Sequence, residues 1–287
     1  MQFRYDFCIS ELLLRVESPR EIRIPDNFQP FLAECPPTKS PDIMLHFLFE
    51  PTSGASDEDI GKLSRDNTNL NFRISETFSL GNGEAVVRQD PSGRGSPCRI
   101  FVPESFADIF CGNGNWLMYM AIERMMMEFD RFFLHASAVV YQGKAYLFSA
   151  PSGGGKSTHA ALWKEHFGAK LLNGDKVLIE VRDGQCIAHG SPVAGSSGIY
   201  AKGSAPIGGI YLLKKDKQNK ITPVSPRSAM LSLYSEAIKC SHDPAFNSRL
   251  LDLIEKLRMQ VPVLSLACLP EKSAVECILQ NNEGMIL

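Results

Sequence analysis

Eight consecutive residues, Ala150-Pro151-Ser152-Gly153-Gly154-Gly155-Lys156-Ser157, bring together three glycines, a lysine and a hydroxyl in the order that polyphosphate binding uses. Glycines let a backbone wrap with its N–H groups pointing inward around phosphate oxygens. A helix opening near Lys156 adds the positive end of its dipole to the same anion. The spacing assigns Lys156 to the β- and γ-phosphates of a nucleoside triphosphate and the Ser157 hydroxyl to Mg²⁺. Ser152, Gly153, Gly154, Gly155 and Thr158 complete the expected contacts. Ala150 stands where the pattern has its first glycine, at a strand exit where a small side chain fits.

Binding a phosphate does not say where the phosphoryl group goes. Asp175, in Leu171-Leu172-Asn173-Gly174-Asp175-Lys176, follows Lys156 by one helix and one strand. Such a crossover returns the chain beside the loop, at the carboxyl end of a neighbouring strand. A carboxylate there either ligates Mg²⁺, directly or through water, or takes a proton from an incoming hydroxyl. A turn aspartate after Asn-Gly is the plainer alternative. Lys176 follows it instead of the water-positioning Glu of many ATPases, which points to phosphotransfer and away from hydrolysis. His135 opens the strand before the loop, and taken alone it reads as a buried histidine bonded to backbone. The Gly/Ser-rich stretch from His189 to Gly198 reads either as a cover that excludes water from an acceptor or as a plain connection.

These residues need elements to hold them. The first hundred residues read mainly as strands, at 9–17, 42–49, 71–80, 84–88 and 98–102, with a polar loop over 51–69. A helix over 116–129, capped by Asn115, follows with apolar residues at helical spacing. From residue 134 the pattern turns α/β: strands at 134–141 and 145–149 joined by Gln142-Gly143, a helix at 156–167, and strands at 170–173, 177–181 and 185–188, the last two joined at Asp183-Gly184. A strand at 207–213, helices at 226–238 and 245–260, a strand at 261–266 and a helix at 271–281 complete the chain. Hairpins on both sides of the loop predict a mixed sheet, unlike the all-parallel sheet of most nucleotide-binding domains.

Composition narrows the class. The 287 residues are 44% hydrophobic and 22% charged, and the net charge is −2, which gives no general attraction to nucleic acid or to an anionic membrane. No apolar run reaches membrane-spanning length, and residues 1–6 lack signal-peptide features. The eight cysteines show no CxxC pair and read as small buried hydrophobes in a reducing compartment, so a cytoplasmic location is expected. Lys214, Lys215, Lys217 and Lys220, interrupted by Asp216 and Asn219, read as a solvated hairpin tip.

Taken in order, Phe133-Leu134-His135-Ala136-Ser137-Ala138-Val139-Val140, Ser152-Gly153-Gly154-Gly155-Lys156-Ser157 and Leu171-Leu172-Asn173-Gly174-Asp175 resemble the catalytic domain of HPr serine kinase/phosphorylase. They are more similar still to the HPr-kinase-related proteins found near peptide-modification genes. The resemblance spans about 130–215. It implies an α/β fold of the phosphoenolpyruvate-carboxykinase-like kind, a P-loop kinase domain with a mixed sheet over 113–287, preceded by a smaller β-rich domain over 1–112. It places His135 at the phosphate site and makes Asp175 a base for an acceptor serine. The family's acidic pair is here Gly174-Asp175, so one acid is missing, which bears on base duty and on any reverse phosphorylase reaction. The expected cofactors are ATP and Mg²⁺, with Ser157 and Asp175 on the metal and Asp175, His135 and Lys156 catalytic. The expected partner is a peptide or small protein carrying a serine, with no nucleic acid or membrane and with homo-oligomers open. A kinase for free serine or a sugar, and a non-catalytic ATP-binding regulatory module, are the alternatives.

Overall fold

In the computed structural model, which describes residues 2–34, 39–50, 74–80, 83–89, 98–113, 122–193, 198–240 and 243–284, the chain opens with a hairpin. Ser10 and Glu11 take φ of 53° and 65° and turn β1 (Phe3–Ile9) straight into β2 (Leu12–Ser18). The sequence reading had a single strand at 9–17. Two positive-φ residues make the tight turn that suits twisted antiparallel strands. Asn-Gly usually marks such a turn, and Ser-Glu does not announce it. Arg15 and Asp6 pair across the two strands at 2.7 Å.

The first compact unit, Met1–Glu128, continues with β3 (Ile43–Glu50), β4 (Ile74–Leu80), β5 (Gly83–Gln89) and β6 (Cys98–Pro103). They form a six-stranded sheet in the order β1-β2-β3-β6-β5-β4. The β2–β3 and β3–β6 pairs are parallel and the rest antiparallel. A short helix that the sequence did not suggest, α1 (Ala107–Asn113), places Phe110 edge-on to Phe47 at 5.0 Å. Of the helix expected over 116–129, the described part is α2 (Ile122–Met127), with Met125, Met126 and Met127 buried. Its expected cap at Asn115, its first turns and the polar loop over 51–69 lie outside the described residues. Residues 113–128, assigned from sequence to the second domain, fall in this unit.

The second unit, Phe129–Leu287, carries β7 (Arg131–Tyr141), β8 (Lys144–Ser149), α3 (Lys156–Phe167), β9 (Lys170–Asn173), β10 (Lys176–Arg182) and β11 (Gln185–His189). After them come β12 (Ser204–Lys215), β13 (Lys220–Pro223), α4 (Pro226–Glu236), α5 (Pro244–Gln260), β14 (Val263–Cys268) and α6 (Lys272–Gly284). The sheet runs β11-β10-β7-β8-β12-β14-β13, with β9 added on β7. It is mixed, as the hairpins predicted: β8, β12 and β14 are parallel, while β7 is antiparallel to β8, β9 and β10. The first residues of β12 also pair with β11, which closes five strands into a ring.

Trp163, fully buried on α3, anchors the helix to this sheet. Its ring stacks on Tyr146 of β8 at 4.9 Å, and Phe148, Tyr211, Leu213 and Leu266 complete the same apolar cluster. Burying aromatic surface of this size contributes a few kcal/mol, and it fixes the helix whose first turn carries the loop lysine.

The lysine cluster is not a hairpin tip. β12 and β13 both pair with β14, which lies between them, so the segment after Lys215 crosses over the end of β14. Two short strands and a polar turn look like a hairpin in sequence. The intervening strand is the one expected near 261–266, but its insertion between β12 and β13 has no local signature.

Candidate active site

The loop between β8 and α3 needs its three glycines for two different reasons. Gly153 and Gly155 have φ of 73° and 96°, in the left-handed region where a side chain is strained. A Cβ on Gly154 would stand 2.5 Å from Ala150 Cβ and 2.9 Å from the Pro151 carbonyl oxygen. Ala150 therefore occupies, in place of the expected glycine, space that Gly154 leaves free. Gly155 caps α3 without a side-chain hydrogen bond, so the first N–H groups of the helix are left to an anion. Lys156 is 7% exposed and its Nζ donates to the Ala150 carbonyl at 2.7 Å. The ammonium is thus folded over the loop. The Ser137 hydroxyl donates to the Lys156 carbonyl at 2.9 Å, which ties β7 to the start of the helix.

Strand pairing explains how Asp175 meets His135. β9 and β10 lie along the same edge of β7, one pairing with 138–140 and the other with 131–135. The turn between them lands opposite Ala136, whose N–H donates to the Asp175 carbonyl at 2.9 Å. Buried Asn173 shapes that turn. Its Oδ1 accepts from the N–H groups of Asp175 and Lys176 at 2.9 and 2.8 Å, and its Nδ2 donates to the Val193 carbonyl at 3.0 Å.

His135 Nε2 lies 2.8 Å from Asp175 Oδ1, and its Nδ1 lies 3.1 Å from Glu236 Oε2. The plain reading of His135 as a backbone-bonded histidine is therefore corrected: both ring nitrogens face carboxylates. A neutral imidazole has one donor and one acceptor. The trio is satisfied only when the ring carries both protons, or when one carboxyl carries the proton the ring lacks.

Glu236 was absent from the sequence reading. It ends α4, and the chain beyond it is held by the Ile238 N–H donating to the Phe133 carbonyl at 2.9 Å. One signal was present. A carboxylate in the last turn of a helix opposes the negative end of the dipole, and such a position asks for another reason.

A single cavity of about 730 Å³ is lined by His135, Asp175, the whole segment Ser152–Thr158 and the ends of β12 and β14. The structure therefore brings together every residue that the sequence nominated for the site. Glu236 does not line the cavity and sits behind His135. His159, one turn into α3, meets the Phe148 ring edge-on at 4.3 Å, and burial pushes its pKa down to about 4. It is neutral at working pH. Among the described residues no three His, Cys, Asp or Glu side chains cluster to hold a metal. The oxygens of Ser157 and Asp175 suit Mg²⁺, which takes few protein ligands and completes its shell with phosphate and water.

The Gly/Ser-rich stretch does not cover the cavity in its described part. None of its described residues lines it. Both sides of it are fastened to β9 and the turn after it: in its first half the Asn173 Nδ2 donates to the Val193 carbonyl at 3.0 Å, and after it the Gly174 N–H donates to Ile199 O and the Ala201 N–H to Leu172 O, both at 3.1 Å. Residues 194–197 lie outside the described residues. Seven of the eight cysteines are described, and no disulfide joins any of those seven. No helix among the described residues is long and apolar enough to cross a membrane.

Among solved structures, the HPr(Ser) kinase/phosphatase from Coxiella burnetii matches at 14% identity and a TM-score of 0.33, over 54% of this chain and 99% of that chain. No family model matches the chain, and no curated protein matches it. At so coarse a likeness, residue roles follow from the site's own geometry.

Proposed function

We propose that the second unit is an ATP-dependent phosphotransferase that passes the γ-phosphoryl group to a hydroxyl, that of a serine on a peptide or small protein. The observation that carries this reading is the juxtaposition in one cavity of a glycine loop with Asp175 and His135, whose far nitrogen faces Glu236 behind it. The loop amides, the start of α3 and Lys156 oppose the charge of the phosphates. Ser157 and Asp175 would hold Mg²⁺, which when bound offsets charge on the β- and γ-phosphates.

The Asp175 carboxylate takes the proton of the acceptor hydroxyl. The new O–P bond forms as the bond from the γ-phosphorus to the β–γ bridging oxygen breaks, and ADP leaves. The proton stays on Asp175, which His135 Nε2 holds in position, and Glu236 keeps the ring in line from its Nδ1 side. A missing second acid beside Asp175 favours a non-catalytic module. Glu236 supplies a second carboxylate to the same histidine, from another element.

The test is incubation with Mg²⁺ and γ-labelled ATP, with serine-containing peptides in one arm and free serine or sugars in another. Label on a peptide serine, reduced at least about 100-fold in Lys156→Ala, is expected. Label only on free serine or a sugar would make the chain a small-molecule kinase. Tight ATP binding without transfer to any acceptor would leave it a nucleotide-regulated module.

A further inference from the structure

The cavity extends past the loop on the flank opposite to the trio. In the strand order β10-β7-β8-β12-β14, His135 and Asp175 lie to one side of the loop strand β8, and the ends of β12 and β14 lie to the other. The three parallel strands open their carboxyl ends on the same crevice, where ligands of such sheets settle. Leu213, Lys215, Asp216, Cys268 and Leu269 line this second end together with Leu162 of α3. Leu213 stands beside Leu266, and Lys215 beside Cys268, in the parallel register. Leu213 and Leu266 pack in the cluster under α3, so alternation along the strands puts Lys215 and Cys268 on that same side.

This end has a fixed rim. The Asp216 N–H donates to the Cys268 carbonyl at 3.2 Å. Asn219 Oδ1 accepts from the Leu269 N–H at 2.9 Å, and its Nδ2 donates to Ser273 Oγ at 2.6 Å and Glu271 Oε1 at 3.2 Å. Asn219 thus fastens the β12–β13 crossing to the turn between β14 and α6. A triphosphate with its γ-phosphate toward Asp175 must leave the loop on this flank. Two strand widths, about 10 Å, separate β8 from β14, which is room for a ribose and a base.

We infer that the ends of β12 and β14 form the nucleoside subsite. The base lies in the apolar slot between Leu162, Leu213 and Leu269, and the Asp216 carboxylate accepts from the hydroxyl or N–H donors of the nucleoside. This assignment rests on the nucleotide-binding reading above, and tripolyphosphate, which has no nucleoside, separates the two. Calorimetry first establishes binding of ATP and of tripolyphosphate to the full chain. Alkylation of the half-buried Cys268 thiol at about pH 8.5 is then followed by mass spectrometry, with Cys240, outside the cavity, as the reference.

Bound ATP is expected to protect Cys268 and bound tripolyphosphate to leave it reactive. Asp216→Ala is expected to weaken ATP about tenfold and leave tripolyphosphate unchanged. Equal labelling under both ligands, or equal weakening of both by Asp216→Ala, overturns the subsite and leaves the phosphate loop standing. Failure of wild-type protein to bind either ligand overturns the nucleotide reading and the subsite with it.

Discussion

The phosphate loop takes its shape from eight neighbouring residues, whereas the trio of His135, Asp175 and Glu236 is gathered from three elements, with 101 positions between His135 and Glu236. In the loop the backbone does the chemistry, and side chains matter mainly by being absent: φ at Gly153 and Gly155, and clearance at Gly154. In the trio the side chains do the chemistry, and the backbone matters because strand register brings Asp175 opposite Ala136. Substitutions in the two parts should therefore fail differently. Loop changes should weaken nucleotide binding, and trio changes should slow transfer from a nucleotide still bound.

The largest effect is expected from Lys156→Ala, which removes charge that is needed most as the phosphoryl group moves. Transfer should fall at least about 100-fold in single-turnover assays. Asp175→Asn should cost transfer about as much, in the 100- to 10,000-fold range of a lost general base, with ATP binding retained by calorimetry. Together these two variants break the comparison if Asp175→Asn weakens ATP binding as much as Lys156→Ala does.

A stability effect of up to about 3 kcal/mol is expected at His159, because its pKa is held near 4 in the fold and is near 6.5 when unfolded. The unfolded chain then takes up a proton that the folded one refuses. Stability is complete above about pH 6.5 and is lost as pH falls toward 4. Denaturant melts between pH 7 and 4.5 should show this loss, and His159→Leu should flatten it.

Smaller changes sharpen the contrast further. Gly155→Ala forces a side chain into left-handed backbone at a cost of about 1–2 kcal/mol, which should appear as roughly tenfold weaker ATP binding. Glu236→Gln keeps the shape but removes the far charge from His135, and we expect about a tenfold loss of transfer with unchanged ATP affinity and a displaced pH–rate profile. A Glu236→Gln variant whose profile does not move would show that the residue serves only packing.

What the sequence disclosed follows the same division. Gly153 to Ser157 declared the loop because its requirements are local, and Gln142-Gly143 and Asp183-Gly184 declared their hairpins by turn chemistry. Ser10-Glu11 hid an equivalent turn because neither residue is typical of positive φ. Asp175 was legible from crossover length alone, and its contact with His135 depends on β9 and β10 sharing an edge of β7. Glu236 reaches His135 through the 236–238 return onto β7, a long-range pairing that no local pattern encodes. The place of β14 between β12 and β13 is of the same kind, which is why Lys214 to Lys220 read as a hairpin.

The most direct test of the central claim is to measure ATP binding and single-turnover phosphoryl transfer to a serine peptide on the same preparation of Asp175→Asn. The account predicts an ATP Kd within about fivefold of the parent and transfer reduced at least about 100-fold. Transfer at the parent rate, or loss of ATP binding in step with transfer, would contradict a cavity in which the loop holds the nucleotide and the trio moves the proton.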